Sequence, residues 1–334
     1  MPMKIGLWDA DNSYRGKVTF PNLALMKLSA WHKKQGDEVS WIEPYGSYDK
    51  VYISKVFSDE YTKEVLPIFQ ADEIVRGGSG YAIKIENERE CYHKELDPSL
   101  PDEIEHIFPD YGLYGITDNA YGFLTRGCPR GCDFCHVAGM QGRMAHTVAE
   151  LEEFWDGQKY IHLNDPNIIA CKDWEHHFEK LAASKAYIDF NQGIDVRLLT
   201  EDKCKAFNEL KYKAIHFAWD RPEQDLRNQL TNVKGWLKKC SKSNTTVYVL
   251  VNNGSTIEED IARVEFIKSI RMQPYVMVYR ESTAPKIIKK LKRYANNPFV
   301  CWATPTFADY DTSKKSERHG KTGIKYDGKV KAML

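Results

Sequence analysis

Cys128, Cys132 and Cys135 fall within eight residues, in the stretch Gly127-Cys128-Pro129-Arg130-Gly131-Cys132-Asp133-Phe134-Cys135. Structural zinc sites usually draw cysteines in C-x2-C pairs and close with four ligands. Three thiolates spaced x3 then x2 suit three corners of an iron–sulfur cube, thiolate being the ligand such clusters prefer. The fourth iron then lacks a protein ligand and can take an exogenous molecule. Gly127 and Gly131 let the backbone turn tightly around the group. His136 and His146 are the neighbours that could instead complete a zinc site, although His136 adjoins Cys135 too closely to close a tetrahedron with it.

Further polar residues stand where strands are expected to end. Asn164 and Asp165 follow one such strand; a carboxylate and an amide can both accept from an ammonium. Gln192, Asp195 and Arg197 follow the next, and Arg197 could grip a carboxylate in bidentate fashion or pair with Asp195. Trp219 and Asp220 end a fourth strand, facing a substrate space or serving structure alone. Asn252, before Gly254-Ser255-Thr256, and Tyr279 end the fifth and sixth.

The elements that must position these residues alternate. Residues 4–8 read as a strand. A helix follows between Pro21 and Gly36, then strands over 38–42 and 50–54, a helix over 63–69 and a strand over 72–76 running into Gly77-Gly78. Residues 85–119, broken by Pro98, Pro101 and Pro109, read as a connector with a short helix near 102–108. Strands are then expected at 121–125, 160–163, 187–190, 214–218, 246–251 and 275–279. Helices are expected at 148–155, 174–184, 201–210, 225–240, 258–270 and 285–294, with 299–303 as a seventh strand. Six βα units are too few for a closed eightfold barrel. They suit an α/β partial (β/α)6 barrel with its active face at the strand C-termini, preceded by a small doubly wound α/β domain. The cysteine loop follows the first barrel strand, on that face. The expected domains are 1–85, a connector 86–117, the barrel 118–303 and a basic C-terminal tail 304–334.

The cysteine spacing at this place in a six-unit pattern resembles the radical S-adenosylmethionine (SAM) superfamily. The resemblance implies that Cys128, Cys132 and Cys135 hold a [4Fe–4S] cluster and that SAM chelates the fourth iron. It implies reductive cleavage of SAM to a 5′-deoxyadenosyl radical that takes hydrogen from a substrate. A cofactor then carries the hard chemistry while the protein positions and shields it. Phe134 takes the aromatic position that meets adenine. Asn164 and Asp165 stand where a glycine-rich acidic turn usually holds the methionyl amine. Gln192, Asp195, Arg197, Asn252 and Tyr279 fall at further SAM-contacting positions. A one-electron reductant of the flavodoxin or ferredoxin type is implied as partner. Neither the substrate nor the reaction subclass is encoded legibly.

The N-terminal segment resembles a cobalamin-binding domain, but Asp9-Ala10-Asp11-Asn12-Ser13-Tyr14 lacks the cobalt-ligating histidine of the usual motif, and His32 lies within a helical pattern. A cobalamin-like fold without cobalamin is expected, with a cobalamin-dependent methyltransferase as alternative. A non-catalytic iron–sulfur or zinc protein is the alternative from another class. Only Cys91 precedes the motif, so no second N-terminal cluster is expected, and Cys301 cannot hold one. Asp9 and Asp11 could bind something polar at a doubly wound switch point.

The 334 residues carry equal numbers of acidic and basic side chains, so no global field draws the chain to nucleic acid or membrane. Cys91, Cys171, Cys204, Cys240 and Cys301 are scattered singly, as small buried residues rather than a secreted disulfide framework. With no apolar run of transmembrane length and no signal-type start, a cytoplasmic protein without membrane contact is expected. Lys314, Lys315, Arg318, Lys321, Lys325, Lys329 and Lys331 make the tail basic. It could touch a nucleic-acid backbone, although a solvated terminus is the expected reading.

Overall fold

The computed structural model describes residues 2–87 and 89–311. The chain divides into two compact units, Met1–Asp189 and Phe190–Leu334. The seven basic residues expected to define the tail lie outside the described residues.

The first unit begins with β1 (Lys4–Asp9), α1 (Ala10–Arg15), α2 (Leu23–Gln35), β2 (Glu38–Trp41), β3 (Ser47–Ser54), β4 (Gln70–Gly77) and α3 (Ser79–Ala82). The four strands form a parallel sheet in the order β2-β1-β3-β4. Strand order reverses between β1 and β3, which is the switch point of this topology. α2 starts where the Asn22 side chain accepts from Leu25 N, at 3.2 Å, and stops at Gly36 with φ 88°. Its Leu25 and Leu28 pack with Ile5 and Leu7 of β1 and with Ile104. Burying each such side chain is worth about 1.5–3 kcal/mol. Ile42, Tyr48, Val51 and Ile53 form a second cluster, joined by Trp8, Leu66 and Phe69.

The helix expected over 63–69 does not form. Pro67 lacks an N–H and turns residue 66 away from helical dihedrals. The segment instead forms no regular element, and Tyr45 N donates to Ile68 O at 2.6 Å.

The connector carries more order than expected. β5 (Ile83–Glu86) and β6 (Arg89–Tyr92) pair antiparallel, and α4 (Asp102–Glu105) supplies the short helix. Then come β7 (Asn119–Gly122), β8 (Thr125–Arg126), α5 (Val137–Gln141), β9 (His146–Thr147), β10 (Tyr160–Leu163), α6 (Trp174–Ser184) and β11 (Tyr187–Phe190). The strand expected at 121–125 is thus two short strands. The helix expected over 148–155 reduces to a 3-10 turn at Leu151–Glu153, and the N–H groups of Val148 and Ala149 donate to Leu124 O. β7 and β10 are parallel, with Tyr121 opposite His162. Ala120, Ile161 and Leu163 are buried on one face. The other face is half-open: Tyr121 and His162 stack at 4.6 Å, and His162 reaches Asp189 at 3.1 Å and Asn119 at 2.9 Å.

The second unit contains α7 (Glu201–Glu209), β12 (Lys211–Tyr212), β13 (Ile215–Ala218), α8 (Arg227–Trp236), β14 (Thr245–Val251), α9 (Ile257–Ser269), β15 (Gln273–Val278), α10 (Lys286–Ala295) and α11 (Pro298–Ala303). β13, β14 and β15 form a parallel sheet in that order. Its two faces differ as in the first unit. Phe217, Val247, Val249 and Val276 are buried, while His216 stacks on Tyr248 at 5.3 Å on the half-open face, with Tyr275 edge-on. The seventh strand expected at 299–303 is the helix α11. Asn297 caps it and Pro298 occupies its first turn, the signal that the apolar run obscured.

Candidate functional site

β8 pairs antiparallel with β9, so residues 127–145 make one excursion closed at its base, and the three cysteines sit on it. Several groups pin that base. Arg126 donates to Glu105 at 2.7 Å, which also holds Lys27 at 3.0 Å. Asp165, on the loop after β10, accepts from Leu124 N at 3.1 Å and from the Thr125 hydroxyl at 2.7 Å. Within the excursion Cys128 N donates to Gly142 O at 3.1 Å, and Cys135 N to Cys132 O at 3.1 Å. Gly127 has φ 89°, and a Cβ there would stand 2.2 Å from Met144 O; Gly131 has φ 55° and lies against the Arg143 guanidinium. The two glycines are therefore demanded by the shape of the cradle.

Cys128 and Cys132 are half-buried and Cys135 is exposed; none of the eight cysteines forms a disulfide. Among the described residues no three His, Cys, Asp or Glu side chains converge as ligands of a single metal ion. Corners of a cube stand farther apart than ligands of one ion. Three thiols on one cradle, glycine-lined and pinned at its base, are a donor set that fits an iron–sulfur cluster. The two histidines that could have closed a zinc site are otherwise engaged: His136 meets Glu90 at 3.3 Å and His146 meets Met144 O at 3.0 Å.

The other candidate residues fall in two groups. In the first unit Phe134 is half-buried between Cys132 and Cys135, and Asn164 is half-buried with its N–H on Gly122 O. Asp165 is buried, and burial pushes its carboxyl up to about 6 against the pull of its hydrogen bonds. Asn167, which sequence reasoning passed over, is buried at 3 % exposure. Its Nδ2 donates to Cys128 Sγ at 3.7 Å. Among the described residues its Oδ1 has no hydrogen-bond partner.

In the second unit Gln192 is exposed, while Asp195 is buried and accepts from Arg197 Nε at 2.6 Å. Arg197 also donates to Gln224. Asp195 and Arg197 are thus paired with each other. Asn252, at φ 61°, and Tyr279 come together, Asn252 Nδ2 donating to Tyr279 O at 2.8 Å. Beside Asn252, Asn253 Nδ2 and Ser255 Oγ are buried without partners among the described residues. Trp219 is 1 % exposed, its indole N–H donates to Arg221 O at 3.1 Å, and Arg263 binds its carbonyl at 2.6 Å. Burial pushes Asp220 up to about 6, with Arg197 and Arg263 opposing.

At the N-terminal switch point the carboxylates are satisfied internally. Asp9 accepts from Asn12 N at 3.0 Å and from the Tyr114 hydroxyl at 2.7 Å. Asp11 accepts from Val56 N at 2.7 Å and from the Thr62 hydroxyl at 2.7 Å. Asn22 spans to Ser54 at 2.8 Å. His32 is buried, with its nitrogens on Asp37 and Tyr52. Residues 9–14 carry no histidine and His32 is engaged elsewhere, so a cobalamin ligated through histidine finds no ligand in this stretch. Among the described residues no helix is long and apolar enough to cross a membrane.

No family model matches the chain, and no curated protein does. Among solved structures, the chain is similar to a radical S-adenosylmethionine methyltransferase, TsrM, from Kitasatospora setae, solved with cobalamin and a [4Fe-4S] cluster bound. The TM-score is 0.55 at 11 % identity, over 83 % of this chain and 75 % of that one. At that identity the likeness is one of fold, an α/β arrangement with parallel sheets.

Proposed function

We propose that this protein is a radical SAM enzyme in which Cys128, Cys132 and Cys135 hold a [4Fe–4S] cluster. The observation that carries the reading is the cysteine cradle, pinned by Asp165 and Arg126 at the C-terminal end of β7 and β8, within a fold like that of TsrM. When bound, the cluster supplies the electron that cleaves SAM to a 5′-deoxyadenosyl radical for hydrogen abstraction from the substrate. The chain's own part is to bind and orient. Phe134 offers a ring for adenine. Asn164 and Asp165 border the cradle, Asp165 through its hold on the backbone. Gln192, Asp195, Arg197, Asn252 and Tyr279 are the further SAM contacts that the resemblance implies.

The reading takes 118–303 as a partial (β/α)6 barrel after a cobalamin-binding-like domain at 1–85 and a connector at 86–117, with 304–334 as a basic tail. A flavodoxin- or ferredoxin-type reductant is the proposed partner, in a reducing compartment such as the cytoplasm. Nucleic-acid contact through the tail is the lesser partner reading.

A second reading, a cobalamin-dependent radical methyltransferase, draws on the cobalamin bound in TsrM. The internally satisfied Asp9 and Asp11 weigh against it.

Anaerobic reconstitution with iron and sulfide tests the proposal. About four irons per chain and a paramagnetic reduced cluster are expected, both lost in the Cys128→Ala, Cys132→Ala and Cys135→Ala variants. One tightly held zinc and no iron–sulfur spectrum would instead identify a structural metal site.

A further inference from the structure

The geometry points to Asn167 as the residue that couples the cluster's cysteine cradle to the molecule on its open iron, donating to the Cys128 thiolate while accepting from that molecule. The inference rests on the cluster reading above and assigns a role to a side chain of this chain alone. Asn167 follows Asp165-Pro166, on the turn leading into the 3-10 segment Ile168–Ala170. Its place is fixed by backbone: Ala170 N donates to Asn167 O at 3.0 Å, and both following isoleucines are 1 % exposed. Its side chain makes no cap bond to that segment. The amide points at the cradle, with Nδ2 3.7 Å from Cys128 Sγ.

Two chemical consequences follow from the two ends of one amide. An N–H donated to a ligand sulfur draws electron density from it and stabilises the more negative, reduced cluster, so it raises the reduction potential. A buried amide oxygen without a partner forgoes the hydrogen bonds it makes in water, which natural interiors rarely tolerate. It is satisfied when a ligand brings an N–H or O–H donor. Asp165, two residues earlier, cannot do this as readily, because its oxygens are committed to Leu124 and Thr125. The ligand class is an amine- or hydroxyl-bearing molecule bound at the open iron, for which SAM is the probe. Asn167 is a positioning residue, since it breaks and forms no bond.

The test uses the reconstituted full chain and two variants. Asn167→Leu removes donor and acceptor; Asn167→Asp, nearly isosteric, removes the donor and keeps an acceptor, and serves should leucine disturb the turn. Midpoint potential is read by redox titration followed by EPR. Affinity is read from the change in the EPR signal on adding SAM. Both variants are expected to titrate at more negative potential, a tenfold lower reduced-to-oxidised ratio at fixed potential corresponding to about 59 mV for one electron. SAM affinity should fall about tenfold in Asn167→Leu and be retained in Asn167→Asp. An unchanged midpoint in both variants, or unchanged affinity in Asn167→Leu, overturns the inference while leaving the cluster reading intact. Failure of the wild type to take up iron overturns the cluster reading, and this inference with it.

Discussion

Asp165 and Thr125 are joined through the threonine hydroxyl at 2.7 Å, three residues before the first cysteine of the cradle. A carboxylate on the loop after β10 thereby fixes where the cysteine excursion leaves the preceding strands. Replacing it with alanine leaves the N–H groups of Leu124 and Thr125 buried and unpaired. Asp165→Ala should lose about 2–5 kcal/mol of unfolding free energy. Its iron content after reconstitution should fall in parallel, as checked by denaturant titration and iron assay.

The cradle glycines should not be equivalent. Gly127→Ala meets both a left-handed φ and the Met144 carbonyl, a rigid backbone atom, whereas at Gly131 the obstacle is the movable end of Arg143. Both variants carry the backbone penalty of about 1–2 kcal/mol. Gly127→Ala alone should also displace the excursion and lose most of its cluster. Comparing visible absorbance per chain after reconstitution measures the difference.

Asp220 supplies a pH signature. Its folded carboxyl is raised to about 6 by burial, above the unfolded value. Such a group adds stability at low pH that is lost as pH rises through about 6. The difference in unfolding free energy between wild type and Asp220→Asn should be about 1 kcal/mol more in favour of wild type at pH 5 than at pH 7. Taking the difference cancels groups that titrate alike in both proteins, such as His177, whose pKa burial lowers. A flat difference across that range would remove the assigned shift.

Much of this was legible beforehand, and the reasons are local. Asn22 and Gly36 bound α2 where Pro21 and the glycine suggested. The parallel strands announced themselves as short apolar runs between helical patterns, and Cys128, Cys132 and Cys135 stand on the predicted loop. What escaped was set by a few residues acting against a pattern, or by long-range partners. Pro67 vetoed a helix, and the Asn297-Pro298 cap turned an apolar run into one. Asn167 has no sequence signature; only the approach of its amide to Cys128 marks it. Likewise, nothing in the spacing of Asp9 and Tyr114 reveals that they meet across 105 positions.

That meeting bears on cobalamin. With Asp9 held by Asn12 and Tyr114, and Asp11 by Val56 and Thr62, the β1–β3 switch point is furnished from within. The chain incubated with hydroxocobalamin and passed through gel filtration should emerge without corrinoid absorbance. Stoichiometric retention would favour the cobalamin-dependent reading.

The proposed role of the three cysteines is to hold a cluster whose open iron activates SAM. Its most direct measurement is formation of 5′-deoxyadenosine from SAM by the reconstituted protein, anaerobically, with dithionite. The product should require protein, cluster and reductant and disappear when Cys128, Cys132 or Cys135 is replaced by alanine. A fully reconstituted four-iron protein that leaves SAM intact under these conditions would contradict that role.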